Sequence, residues 1–215
     1  MKNKLVIIGG GGHCLSVTDS LDQSLFSEIV ILDKNQEKNT LVNGIRVYGD
    51  DNDLDRLYQM GFRYAFITLG SVGDTSVRRK LDKLLKNKKF SFINIIDQSA
   101  IVSSSVKLGT GIFIGKGAIV NAKSILGNHC IINSGTIIEH ECTVEEFSHI
   151  APGATILGNC YIGRDTHVGA STSIIQGINI GDCTVIGMGS VVRHDIGNGK
   201  LAYGNPCVVT EKTYD

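Results

Sequence analysis

Residues 126–167, broken every six, read LGNHCI INSGTI IEHECT VEEFSH IAPGAT ILGNCY IGRDTH. Each block opens on Leu, Ile or Val. The rule runs on in both directions, through Val102, Leu108, Ile114 and Val120 before this stretch and Val168, Ile174, Ile180, Ile186 and Val192 after it. Sixteen consecutive hits make a repeat that composition does not account for. The residue after the opening one is Gly at 109, 115, 127, 163, 169, 181 and 187, and the fifth place is small or β-branched from Val106 to Ser190. A helix would turn by about 600° per block and smear the stripe, and a bare strand repeats every two residues. A solenoid fits: each block is a short strand and a turn. Its first residue fills a narrow interior, its fifth sits near a corner with little volume, and glycine eases the turn. Three blocks close a coil of 18 residues.

The chain before this repeat has a different grammar. Leu5–Ile8, Glu28–Leu32, Ile45–Tyr48, Tyr64–Leu69 and Phe90–Ile96 read as short buried strands. Between them, His13–Leu25 (apolar at Leu15, Val17, Leu21 and Leu25), Asn52–Met60 and Val77–Lys86 read as helices. Strands alternating with helices predict a parallel sheet covered by helices. The expected division is a Rossmann-like α/β domain over residues 1–97 and an all-β helix with a tail over 98–215.

Composition narrows the function. Lys plus Arg (21) balance Asp plus Glu (21), so no overall field gathers nucleic acid or an anionic membrane. Met1 to Lys4 lead into a four-residue apolar run, shorter than a signal peptide or a membrane span, and a cytoplasmic address is expected. Six Cys without a Cys-x-x-Cys pair suggest reduced, mostly buried thiols.

Gly9, Gly10, Gly11 and Gly12, followed by His13, lie between the first strand and the first helix, where bare backbone amides can approach a phosphate. A dinucleotide fingerprint would need Gly at 14 or 15, and Cys14 and Leu15 stand there, so NAD is disfavoured. Asp33 closes the second strand, at the place of a ribose or base ligand; a turn aspartate is the alternative. Among the six His, only His140 is flanked by two carboxylates, Glu139 and Glu141. An adjacent carboxylate can hold an imidazole tautomer and stabilise the imidazolium. The 18-residue coil stacks His140 on Gly158, whose missing side chain leaves room for a ligand and bares an amide. It also stacks His149 on His167 and Cys142 on Cys160. Two imidazoles do not make a catalytic zinc site, which needs three protein ligands, and no metal is expected.

The repeat resembles that of left-handed β-helix acyltransferases. With the Gly-Gly-Gly-His loop, Asp33 and the motifs Ile132-Asn133-Ser134-Gly135, Glu139-His140-Glu141 and His149-Ile150-Ala151-Pro152-Gly153, the whole chain resembles bacterial N-acetyltransferases of nucleotide-linked 4-amino sugars and the related sialic acid O-acetyltransferases. Departures are Cys14, where many relatives have a small residue, and Ser71, where they have Asn. The resemblance implies a homotrimer with acetyl-CoA between neighbouring helices and no metal. It implies a nucleotide sugar on Gly9 to His13 and Asp33, His140 as general base and Glu141 as its partner. Asn133 and His149 would give supporting contacts, with His149, Gly158, Gly187 and Pro206 on the CoA side. Tyr203-Gly204-Asn205-Pro206-Cys207 resembles the family's exit segment, and Arg193 and Lys200 are the nearest cations for CoA phosphates. N-acetylation of a 4-amino-4,6-dideoxy sugar is the expected reaction. O-acetylation of a sialic acid or similar sugar, or a non-catalytic nucleotide-sugar-binding trimer, are the alternatives.

Overall fold

The computed structural model of the chain describes residues 3–210. It divides into two compact units, one of residues up to Gly70 with Ser76–Ile95, the other of Ser71–Thr75 with everything from Ile96 onward. Ser71–Thr75 thus clusters with the repeat, apart from its neighbours in sequence.

The first unit runs β1 (Asn3–Ile8), α1 (Gly12–Ser20), β2 (Phe26–Leu32), β3 (Leu41–Val42), β4 (Ile45–Gly49), α2 (Leu54–Gln59), β5 (Tyr64–Ile67), α3 (Ser76–Asn87) and β6 (Ser91–Phe92). Strand order is β3-β4-β2-β1-β5-β6, parallel except for the β3–β4 hairpin. Leu5 to Ile8 of β1 are buried, as a strand covered on both faces must be. The order reverses at β1: the chain winds outward through β2 and β4, then crosses back to β5. The loops after β1 and β5 therefore part and leave a crevice at the strands' carboxyl ends.

Three local expectations fail here. The strand expected over Phe90–Ile96 keeps only Ser91–Phe92 in this sheet, and Ile95–Ile96 is a separate strand. The first helix stops at Ser20 rather than Leu25, because Leu21 is extended and the Asp22 carboxylate caps a separate turn by accepting the Ser24 N–H at 3.0 Å. Its buried face is Cys14, Val17 and Thr18, while Leu15 and Leu25 are exposed.

In the second unit each block contributes one two-residue strand, paired in parallel with the strand 18 residues on: Ile131 with His149, Ile132 with Ile150. Three stacked parallel sheets result. The architecture is the expected one, a Rossmann-like α/β region followed by a left-handed parallel β-helix. First-place residues from Ile114 to Val192 are all buried, and so are fifth-place residues from Ile112 to Ser190. Volume alone does not explain the fifth place. Its polar members donate to turn carbonyls one coil away: Ser148 Oγ to Gly163 O at 2.6 Å, Thr166 Oγ1 to Gly181 O at 2.7 Å, Cys142 Sγ to Leu157 O at 3.2 Å. Burying a corner without orphaned carbonyls requires such donors.

The glycine rule also changes. From Gly111 to Gly189 the left-handed residue of each turn is the fourth, with φ of 59° at Glu141, 56° at Asn159 and 66° at Gly135. Second-place glycines answer to stacking instead: a Cβ at Gly127 would stand 2.5 Å from the Glu146 backbone N, and one at Gly163 2.5 Å from that of Asp182. The third place contributes no N–H to the ladder between coils, which is why Pro152 fits there. His140 and Gly158 occupy this same third place. Among the described residues, no helix is long and apolar enough to cross a membrane.

Candidate active site

In the first unit a cleft of about 360 Å³ opens where the strand order reverses, walled by Gly9, Gly11, Gly12, His13, Asp33 and Asp51 among others. Gly9 is left-handed (φ 105°), and a Cβ there would meet Leu69 Cδ1 at 2.6 Å, so the loop passes too close to the β5 end for any side chain. Thr68 Oγ1 ties the two loops by donating to Ile8 O at 2.9 Å. Asp33 is the loop's anchor. Its Oδ2 accepts the Gly10 N–H at 2.6 Å and its Oδ1 the Asn35 N–H at 2.7 Å. A Cβ at Gly11 or Gly12 meets nothing within 4 Å, leaving the start of α1 bare. Burial, with the Arg78 charge adding to it, lowers the His13 imidazole to about 4, so it is neutral at pH 7. Burial likewise pushes the Cys14 thiol up to about 11.

In the second unit His140 stands at the corner after Ile137–Ile138. Its Nδ1 is 3.2 Å from Glu141 Oε2, and Lys123 Nζ lies 3.7 Å from Glu141 Oε1. The left-handed turn at Glu141 folds that carboxylate back to the ring beside it in sequence. With Nδ1 protonated toward the carboxylate, Nε2 carries the free lone pair. The ring lies over Gly158: a Cβ there would be 2.6 Å from both Cε1 and Nε2 of His140. The room expected at Gly158 for a ligand is therefore filled by the imidazole. A cleft of about 530 Å³ opens beside it, lined by Glu139, His140, Leu157, Gly158, Asn159 and Gln176 among others.

Asn133 and His149 form a separate group, on another face. Asn133 Nδ2 is 3.3 Å from His149 Nε2, and His149 Nδ1 is 3.1 Å from the Ser71 carbonyl. An Nδ1–H donating to Ser71 O leaves Nε2 to accept from Asn133, so both ring nitrogens are engaged and His149 is a poor base. His167 stacks edge-to-face on it, centroids 4.8 Å apart, and burial lowers its basicity. Thr75 Oγ1 bonds Asp165, so Ser71–Thr75 is strapped to the repeat at two points. Among the described residues, no group of three His, Cys, Asp or Glu gathers as a metal site would require.

Toward the C-terminus, a Cβ at Gly187 would meet Tyr203 Cβ at 2.7 Å, so that glycine admits the exit hairpin Leu201–Tyr203/Val208–Val209, with Pro206 in its turn. Arg193 and Lys200 are exposed.

Sequence reasoning missed Asn121, Lys123 and the Ser71 carbonyl. The first two were within reach, since each lies 18 residues before the carboxylate it meets: Asn121 Nδ2 reaches Glu139 Oε2 at 3.1 Å, and Lys123 faces Glu141.

Residues 4–85 match the family described as the PglD N-terminal domain. Among solved structures, a perosamine N-acetyltransferase variant from Caulobacter crescentus, in complex with CoA and GDP-perosamine, is 33% identical, with a TM-score of 0.91 over 98% of both chains. The acetyltransferase domain of PglB from Neisseria gonorrhoeae, in complex with acetyl coenzyme A, is 29% identical, with a TM-score of 0.90 over 98% of this chain and 100% of that one. WeeI from Acinetobacter baumannii shares the fold at 20% identity and a TM-score of 0.84, over 97% of this chain and 100% of that one. No curated protein matches the sequence.

Proposed function

This chain belongs to the left-handed β-helix sugar acetyltransferases, and from that premise we propose that it acetylates the amine of a nucleotide-linked amino sugar of the 4-amino-4,6-dideoxy type. Acetyl-CoA is the donor, in keeping with the ligands of the two most similar structures described above. His140 is the general base. The observation that carries this role is the exposed imidazole with Nδ1 held by Glu141 at 3.2 Å and Nε2 turned over Gly158.

Chemistry follows from that placement. The sugar amine loses a proton to His140 Nε2 as its nitrogen attacks the thioester carbonyl, while Glu141 stabilises the imidazolium. The tetrahedral oxyanion takes the Gly158 N–H, a third-place amide that the ladder does not use. When the C–S bond breaks, the imidazolium returns its proton to sulfur. No covalent intermediate is needed, and neither Cys142 nor Cys160 has a part: both are buried inside the coil.

The glycine-walled cleft holds the nucleotide in this reading, its phosphates on the bare start of α1. His140 stands at a corner of the coil and the Asn133–His149 group on another face. The assembly we propose is a homotrimer, in which the corner of one helix would meet the face of the next. On the CoA side we place His149, Gly158, Gly187 and Pro206, with Arg193 and Lys200 near the phosphates. Six free cysteines fit a cytoplasmic setting.

The test is turnover of acetyl-CoA against UDP-, dTDP- and GDP-linked 4-amino sugars, with a thermal-shift panel of the same compounds. Saturation to 100 times Kd stabilises by about 2.7 kcal/mol. Acetylated amine with one of them supports the proposal; no turnover with any amine and efficient transfer to a hydroxyl would replace it with O-acetylation.

A further inference from the structure

The segment Ser71–Thr75 leaves its sequence neighbours and joins the repeat. It is held there at both ends. Thr75, 8% exposed, bonds the Asp165 carboxylate through its hydroxyl, and the Ser71 carbonyl lies 3.1 Å from His149 Nδ1. Between the anchors sits the left-handed Gly73 (φ 77°), so without the Thr75 bond only the His149 contact holds the far end. That contact opens a chain of hydrogen bonds whose other end is also backbone. His149 Nε2 is 3.3 Å from Asn133 Nδ2, and Asn133 Oδ1 accepts the Ser134 N–H at 2.9 Å. A carbonyl can only accept and an amide N–H can only donate, so the two ends fix every proton between them. The Ser134 N–H claims Asn133 Oδ1 and turns Nδ2 toward the ring; Nε2 must then accept, and Nδ1–H must point at Ser71. His167, edge-on to His149, is 9% exposed and burial lowers its basicity, so it packs the ring without adding charge.

Resting on the acetyl-transfer reading for the identity of the ligand, we infer that Thr75 and Asp165 are positioning residues for the sugar nucleotide, acting through Ser71, His149 and Asn133. The Asn133 amide carries its two N–H groups in one plane. One goes to His149, and the other is thereby aimed in a single direction, as a fixed donor for an acceptor oxygen of the ligand. Neither nitrogen of His149 is left for that work. If the strap lifts, Ser71 no longer demands Nδ1–H and the ring can take its other tautomer. Nε2–H would then face Nδ2, donor against donor, and the amide has to flip and give up the Ser134 N–H. The outward donor becomes an acceptor, and the preorganisation that favours binding is lost.

The experiment breaks the bond between Thr75 and Asp165 from each side in the full-length protein, by Thr75→Val and by Asp165→Gly. Valine keeps the volume, and glycine suits the left-handed φ of 59° at position 165. The probe is the sugar nucleotide bound most tightly in the UDP, dTDP and GDP panel. Its Kd by calorimetry should rise about 3- to 10-fold in both variants, with CoA affinity within about twofold of wild type. Thr75→Ser, which keeps the hydroxyl, should restore wild-type affinity. Nitrogen NMR should show His149 Nδ1 protonated in wild type and both ring nitrogens averaged over two tautomers in the variants, which a change in packing alone does not produce. In an Asn133→Ala background neither substitution should cost further affinity, because the route passes through that amide. A loss in only one of the two variants, an unchanged His149 signal, a loss that persists without the Asn133 amide, or failure of serine to rescue each overturns the inference. None of these readouts depends on turnover, so wild-type protein that binds the sugar nucleotide and acetylates no amine overturns acetyl transfer alone. Wild-type protein that binds none of the panel overturns both.

Discussion

A single methyl at Gly158 separates the catalytic use of this corner from its structural use. Built on the backbone, the Cβ of Gly158→Ala would lie 2.6 Å from Cε1 and Nε2 of His140 and 3.2 Å from Cδ2. Carbon contacts are comfortable from about 3.5 Å, so the ring must withdraw by about 1 Å. Gly158 is not left-handed, and the atoms it would strike belong to an exposed side chain, so the ring can swing toward solvent. Gly158 itself is buried beneath the ring, but only that exposed side chain has to give, so fold stability should change by about 1 kcal/mol at most. Catalysis has no such latitude: a misplacement of about 1 Å costs on the order of 10²-fold, or about 2.7 kcal/mol of barrier. The assay is steady-state release of thiol from acetyl-CoA with the best amino-sugar acceptor, alongside thermal unfolding. Gly197→Ala is the control, because a methyl there meets nothing within 4 Å. Expected is a kcat about 100-fold down for Gly158→Ala, with a melting temperature close to that of the control. A kcat within about threefold of wild type would refute the placement of the His140 ring as the working base.

His140→Ala should lower kcat by about 10² to 10⁴ with both substrate Kd values little changed, since the loss lies in proton transfer. Retention of more than about a third of wild-type kcat would place the base elsewhere, and the doubly bonded His149 would not be the natural replacement. Asp33→Ala frees the Gly10 and Asn35 amides it holds at 2.6 and 2.7 Å, and calorimetry should show nucleotide-sugar affinity down by about tenfold with CoA affinity unchanged. Acid stability follows from His13, whose folded-state value near 4 lies below the ordinary 6.5. As pH falls through 6.5 the unfolded chain takes up a proton that the folded chain refuses until about 4, so stability present above 6.5 is lost across that window. Melting temperatures of wild type and His13→Gln, measured from pH 7 to 4, should show a shallower decline in the variant; parallel declines would count against a buried neutral imidazole.

How much of this was legible beforehand depends on whether a residue answers to the period or to its own turn. The interior did: a stripe of Ile, Leu and Val every six residues has one closed solution, and the 18-residue pairing of Ile132 with Ile150 follows from it. The same register placed His140 against Gly158 before any coordinates. It held Asn121 with Glu139 and Lys123 with Glu141 as well, but polar pairs carry no periodic signature of their own, so they surfaced only with the structure. Which glycines turn and which merely clear a neighbour was not readable. Glu141 and Asn159 adopt the left-handed turn themselves, while Gly127 and Gly163 stand where coils approach. In the first unit the end of α1 depended on one side chain, the Asp22 carboxylate, against an apolar pattern that would have carried the helix on to Leu25. Least legible of all was the strap Ser71–Thr75. Neither its composition nor its spacing announces that its carbonyl will fix the tautomer of His149, 78 residues away, and so remove that imidazole from the candidates for the base. A side chain's place follows from the repeat, whereas its protonation is decided by whichever backbone atom arrives from outside it.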